Sequence, residues 1–133
     1  MKYMLDTNTC IFAINGSGQV RLRFTEEHKS GIAISAITEA ELWFGIENSK
    51  YIEKNTGILC TFLATVVTLP FDTHAAAVYG RVRAELKRAG TPIGERDTLI
   101  AAHAKAAQLT LVTNNTGEFG RVKDLVLEDW KKS

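Results

Sequence analysis

Four carboxylates fall at positions where distant parts of a chain could meet: Asp6, Glu41, Asp97 and Glu118. Asp6 directly follows the apolar run Tyr3-Met4-Leu5, and Glu41 lies early in the amphipathic stretch after Ile32-Ala33-Ile34-Ser35. Asp97 opens an alanine-rich stretch, and Glu118 follows Leu109-Thr110-Leu111-Val112-Thr113. Carboxylates gathered in one place repel one another and stay ionised together only beside a positive charge. Hard oxygen donors of this kind select magnesium or manganese. A cation so held neutralises a phosphate and acidifies water, which is the chemistry of metal-assisted hydrolysis.

Each acid also has an ordinary explanation. Asp6 can cap the helix after it, as short acidic side chains do. Thr38-Glu39-Ala40-Glu41 and Asn115-Thr116-Gly117-Glu118 both have the spacing of a capping box, and Asp97 can cap its own helix. Glu41 nevertheless shares a helical face with Ile37 and Phe44, where a carboxylate is costly without a partner. Capping does not explain why the acids occupy just those strand ends and helix starts that a parallel topology would gather into one cleft.

Those positions are set by a regular alternation. Short apolar runs at 3–5, 32–35, 66–69, 109–113 and 125–127 read as strands. Between them, helical patterns run over 9–14, 20–28, 38–47, 51–63, 72–89 and 97–107. Asn15-Gly16-Ser17-Gly18 is a break, Gly90 a helix stop, and Thr91-Pro92-Ile93-Gly94 a connecting loop. This rhythm predicts an α/β fold with a mostly parallel sheet between helices, in which the carboxyl ends of the strands line one crevice.

At 133 residues and 45 % hydrophobic, the chain is expected to form one domain over residues 1–133. A net charge of +1 excludes binding to nucleic acid through global positive charge and leaves a local basic patch and a cation. Arg81, Lys87 and Arg88 are the candidates for phosphate contacts; a solvated helix face with Arg81 and Glu85 in i,i+4 register explains them equally well. Cys10 and Cys60 lack any metal-ligand spacing and read as buried thiols. The N-terminus reaches Asp6 too early for a signal peptide and no apolar run is long enough to span a bilayer, so a cytoplasmic protein with no membrane association is expected.

Several motifs together carry a family resemblance over essentially the whole chain. They are Met4-Leu5-Asp6-Thr7-Asn8, Ser35-Ala36-Ile37-Thr38-Glu39-Ala40-Glu41-Leu42 with Gly45, and Arg83-Ala84-Glu85-Leu86. Gly94-Glu95-Arg96-Asp97 with Ile100-Ala101-Ala102-His103-Ala104, and Leu111-Val112-Thr113-Asn114-Asn115-Thr116 with Glu118-Phe119, complete the set. The chain resembles the VapC toxins of the PIN-domain ribonucleases. The resemblance implies a Rossmann-like α/β sandwich and a Mg2+-dependent endoribonuclease, with Mn2+ as a substitute. It also implies a VapB-type antitoxin partner, a homodimer, and cleavage of initiator tRNA in the anticodon loop with arrest of translation. Asp6, Glu41 and Asp97 then form the acidic core, with Asp6 and Asp97 as direct metal ligands.

Two departures from that family stand out. Asn115 occupies a position where an aspartate is common, which leaves Glu118 as the fourth acid, and Glu95-Arg96 places an extra acid and base beside Asp97. Thr7, Asn8, Thr113 and Asn115 are candidates for supporting hydrogen bonds. Trp43-Phe44 and Tyr51 look exposed and suit a protein contact. The rival reading is a non-catalytic RNA- or protein-binding α/β module. A phosphoacceptor or phosphatase with a DxD motif is disfavoured because Asn8 stands where the second aspartate would be.

Overall fold

The computed structural model describes residues 1–132. Five strands, β1 (Tyr3–Leu5), β2 (Ile32–Ser35), β3 (Val67–Leu69), β4 (Thr110–Val112) and β5 (Leu127–Glu128), form one sheet in the order β3-β2-β1-β4-β5. Every neighbouring pair is parallel. The chain winds outward from β1 to one edge through β2 and β3, then returns to add β4 on the other side of β1. Successive connections therefore diverge between β1 and β4 and open a crevice at their carboxyl ends.

Seven α-helices cover the sheet: α1 (Thr7–Asn15), α2 (Gly18–Glu27), α3 (Ala36–Glu47), α4 (Ile52–Leu63), α5 (Thr73–Ala89), α6 (Glu95–Ala106) and α7 (Thr116–Phe119). Alternation along the strands divides the core in two. Met4, Ala33 and Leu111 face α5 and α6, where they meet Val78, Val82, Leu86 and Ile100. Tyr3, Leu5, Ile32, Ile34 and Val112 face the other way, against Cys10, Val20, Leu42, Leu59 and Phe62.

Differences from the sequence-based boundaries have local causes. Helix α3 begins before Thr38 because Ser35 is its N-cap, with Ser35 Oγ accepting from the Ile37 amide at 3.0 Å. Thr38 is thus not a cap; it is buried, and its hydroxyl has no hydrogen-bond partner among the described residues. Helix α6 starts at Glu95 with Gly94 at its cap position, so Asp97 lies inside the first turn. The last strand is displaced to Leu127–Glu128, paired with Leu111 and Val112, after a positive-φ turn at Asp124. Gly16 and Gly90 stop α1 and α5 in the left-handed conformation that glycine allows. Cys10 is buried as expected, whereas Cys60 is exposed on the outer face of α4. Among the described residues, no helix is long and apolar enough to cross a membrane.

One buried bond holds the second strand to the sixth helix. Ser35 Oγ and His103 Nδ1 lie 2.7 Å apart, and burial lowers the pKa of His103, which keeps the ring neutral. The Phe71 ring packs edge-on against the same imidazole at 5.2 Å. Ser35→Ala removes the α3 cap and leaves a buried imidazole nitrogen unpaired. It should cost about 2 kcal/mol, read as a fall of roughly 6–8 °C in melting temperature; an unchanged melting temperature would contradict this account of the contact.

Candidate active site

The crevice between β1 and β4 is where the four acids meet. Asp6 directly follows β1 and caps α1: Asp6 Oδ1 accepts from the Thr9 amide at 2.9 Å. Its own amide donates to the Val112 carbonyl at 3.1 Å, and Thr9 Oγ1 donates to the same carbonyl at 3.0 Å. The start of α1 is therefore fastened to the end of β4. Capping and a place in the acidic cluster coexist in Asp6, which is only 5 % exposed. Burial raises its pKa; hydrogen bonds from Thr113 and Thr9 oppose the rise, and the charge of Glu41 adds to it.

Glu41 comes to the same place from α3, nearly two turns past the Ser35 cap. It does not close a capping box. Instead Glu41 Oε1 accepts from Thr7 Oγ1 at 2.7 Å, and Oε2 lies 3.2 Å from Arg96 Nη1. Asp97 enters from the first turn of α6. Its pKa is raised to about 6, first by desolvation and then by the charges of Glu118, Asp6 and Glu41, with Arg96 opposing. Asp97 thus lies close enough to feel the charge of all three of the others.

Glu118 departs from the expected capping box as well. Asn115 makes no side-chain cap bond; its Nδ2 donates to Glu118 Oε2 at 2.9 Å. Glu118 Oε1 accepts from the Gly94 amide at 3.0 Å, so the fourth acid fastens α7 to the residue that starts α6. Those two hydrogen bonds, the backbone one first, hold the Glu118 pKa below its usual value. A side chain at Gly94 would touch both acids, since a Cβ there would lie 3.7 Å from Asp97 Oδ2 and 3.9 Å from Glu118 Oε1.

Of the supporting residues, Thr7 holds Glu41, Thr113 Oγ1 accepts from the Asn115 amide at 2.9 Å, and Asn115 orients Glu118. Asn8 is exposed and makes no side-chain hydrogen bond among the described residues. The sequence reading missed Thr9, whose amide and hydroxyl both serve the β1–β4 junction; the Asp6-x-x-Thr9 capping interval was its only signal. Arg81, Lys87 and Arg88 are exposed on α5. Lys87 borders a shallow depression with Pro92 and Ile93 of the loop that leads to Asp97, whereas Arg88 faces a separate groove with Arg121 and Lys123. Phe44 and Tyr51 are exposed as expected, but Trp43 is half-buried, with its Nε1 donating to Glu39 at 3.0 Å.

All donors in the crevice are hard oxygens, and their mutual repulsion calls for a cation. No three acidic, histidine or cysteine side chains among the described residues form a ready-made ligand cage. The oxygen donors nonetheless suit a hard divalent cation, which can keep several of its waters and take one or two carboxylates directly.

The chain matches the PIN domain over residues 3–125. It is 45 % identical to the tRNA(fMet)-specific endonuclease VapC of Salmonella typhimurium over 131 residues, 98 % of each chain. It is 44 % identical to ribonuclease VapC2 of Rickettsia felis over 135 residues, 99 % of this chain and all of the other. Among solved structures, DNA-bound VapBC from Salmonella typhimurium contains a chain that superposes with a TM-score of 0.93 at 45 % identity, covering 98 % of both. The promoter-bound VapBC2 complex of Rickettsia felis gives 0.92 at 42 % identity, covering 98 % of this chain and 99 % of the other.

A carboxyl whose pKa is higher in the folded than in the unfolded state favours folding most at low pH. That contribution is lost as pH rises through the folded value, here about 6. In chelator, Asp97→Asn should therefore melt above the wild type at neutral pH, by roughly 3–5 °C once solvent screening is allowed for. The gap should close as the pH falls toward about 4. Added MgCl2 should raise the wild-type melting temperature at neutral pH and leave the variant nearly unmoved; equal melting curves at every pH would contradict the repulsion.

Proposed function

Because the chain belongs to the PIN-domain family and, within it, to the VapC ribonucleases, we propose that it is the toxin of a VapBC-type toxin–antitoxin pair. In this reading it is a Mg2+-dependent endoribonuclease, with Mn2+ as a substitute, that cuts initiator tRNA in the anticodon loop and arrests translation. The observation that carries the reading is the gathering of carboxylates at the β1–β4 switch point, where burial first and then the charges of Glu118, Asp6 and Glu41 raise the pKa of Asp97 to about 6. Relatives named as tRNA(fMet)-specific endonucleases, 45 % and 44 % identical over 98 % of their length, support the substrate.

We assign Asp6 and Asp97 to direct contact with the metal and Glu41 to the same acidic core. When bound, a divalent cation supplies positive charge against the scissile phosphate and lowers the pKa of the attacking water. The protein contributes position and proton traffic. Asp6 is fixed by hydrogen bonds from Thr9 and Thr113, so its carboxylate is positioned without rotamer search. Glu41 is held by Thr7 and can accept a proton from the attacking water. Glu118, through Gly94, sets where α6 begins and hence where Asp97 points. No side chain need serve as nucleophile.

Lys87, at the loop before α6, is the α5 cation best placed to grip RNA, with Arg81 and Arg88 extending the positive surface. A VapB-type antitoxin is the assigned protein partner, as the VapBC assemblies of the relatives suggest. A homodimer is assigned too, and exposed Phe44 and Tyr51 offer apolar surface for one of these contacts. Residues 1–133 are taken as one PIN domain that acts in the cytoplasm, where its tRNA is found.

The test is incubation of the purified protein with total tRNA in Mg2+ and in chelator, beside Asp6→Asn and Asp6→Ala. Asparagine caps a helix about as well as aspartate, so Asp6→Asn keeps the fold and loses the charge. Nicking should need the cation and fall at least about 100-fold in Asp6→Asn, the loss of several kcal/mol of transition-state stabilisation. Asp6→Ala should lose the same activity and about 1 kcal/mol of capping besides. Nicking that persists in Asp6→Asn overturns the proposal, as does tight RNA binding that survives chelation without any cleavage.

A further inference from the structure

Arg96 is the one lysine or arginine within ion-pair distance of the four acids among the described residues, with Nη1 3.2 Å from Glu41 Oε2. The rest of the pair is asymmetric. Glu41 is 20 % exposed and anchored by Thr7, whereas the Arg96 side chain is 68 % exposed and, among the described residues, makes no other ion pair or side-chain hydrogen bond. Arg96 also occupies the second residue of α6, an end where the helix dipole disfavours a cation. Helix stability therefore does not account for an arginine there. Its immediate neighbour in sequence is Asp97, so its guanidinium sits at the rim of the crevice that holds the acids.

We propose that Arg96 is the site's internal counter-ion, neutralising Glu41 until a divalent cation replaces it, and then turning its guanidinium to a phosphate of the bound RNA. The exchange is physically reasonable on both sides. An ion pair this exposed is screened and weak, so releasing it costs little. A divalent ion brings twice the charge, closer to the carboxylate oxygens than a guanidinium can come. The freed arginine presents a planar fork of donors that matches a phosphate in two-point contact. In this arrangement Arg96 keeps Glu41 from adding its full repulsion to the metal-free crevice, and it couples cation binding to substrate grip.

This inference rests on the metal-dependent ribonuclease reading above. Its test measures MnCl2 binding by calorimetry, without RNA, to the wild type, Arg96→Gln and Arg96→Lys. The KM for tRNA nicking is then followed across a range of KCl concentrations. Loss of the competing charge in Arg96→Gln should tighten Mn2+ binding about two- to fivefold. The same change should raise KM about tenfold and lower the slope of log KM against log salt by about one. Arg96→Lys keeps the charge, so its Mn2+ affinity and salt slope should stay near wild type while its KM rises part of the way.

A wild type that binds no Mn2+ would sink the metal site itself and this inference with it. Mn2+ binding by the wild type together with an unaltered affinity or an unaltered salt slope in Arg96→Gln would overturn the role of Arg96 alone.

Discussion

The repulsion among carboxylates gathered at the carboxyl ends of β1 and β4 is the constraint on which the rest of this structure turns. Burial raises the proton affinity of Asp97 most, and the charges of Glu118, Asp6 and Glu41 each raise it further. The groups that fix the acids are almost all neutral: the Thr9 amide for Asp6, the Thr7 hydroxyl for Glu41, the Gly94 amide and Asn115 for Glu118. Neutral donors set position without cancelling charge. The crevice therefore keeps its appetite for a cation, which the Arg96–Glu41 ion pair meets only in part.

Holding such a cluster requires a frame that does not relax away from it. Sheet order supplies that frame, because β1 and β4 lie at the centre with apolar layers on both faces. Asp6 and Thr9 tie α1 to the end of β4, Ser35 and His103 tie β2 to α6, and Glu118 ties α7 to the start of α6. Two of the four acids, Asp97 and Glu118, sit in the first turn of their helices, α6 and α7. There the positive end of the helix dipole offsets part of their repulsion.

Much of this was legible in the chain itself. Parallel topology gathers strand ends and helix starts at one edge, so Asp6, Glu41, Asp97 and Glu118 could be placed together from the βαβ rhythm alone. Asp6 as a cap was equally readable, because the cap and the helix it serves are adjacent in sequence. The capping boxes proposed for Glu41 and Glu118 failed for a common reason: each glutamate found a long-range partner, Thr7 in one case and Gly94 in the other, that a local spacing rule cannot see. Exposure of Cys60 and half-burial of Trp43 likewise depend on which face of a helix finds the core. The contact between Arg96 and Glu41 joins residues on different helices, and the sequence offered only an unexpected basic residue beside Asp97.

Locating a cation directly is the most decisive measurement. Crystals grown or soaked with Mn2+ should show an anomalous peak in the crevice between β1 and β4, bonded to Asp6 and Asp97, with Glu41 turned toward it and released from Arg96. A manganese ion found only outside that crevice, with the four carboxylates unmoved and unligated, would contradict the claim that their shared charge is the reason for the site.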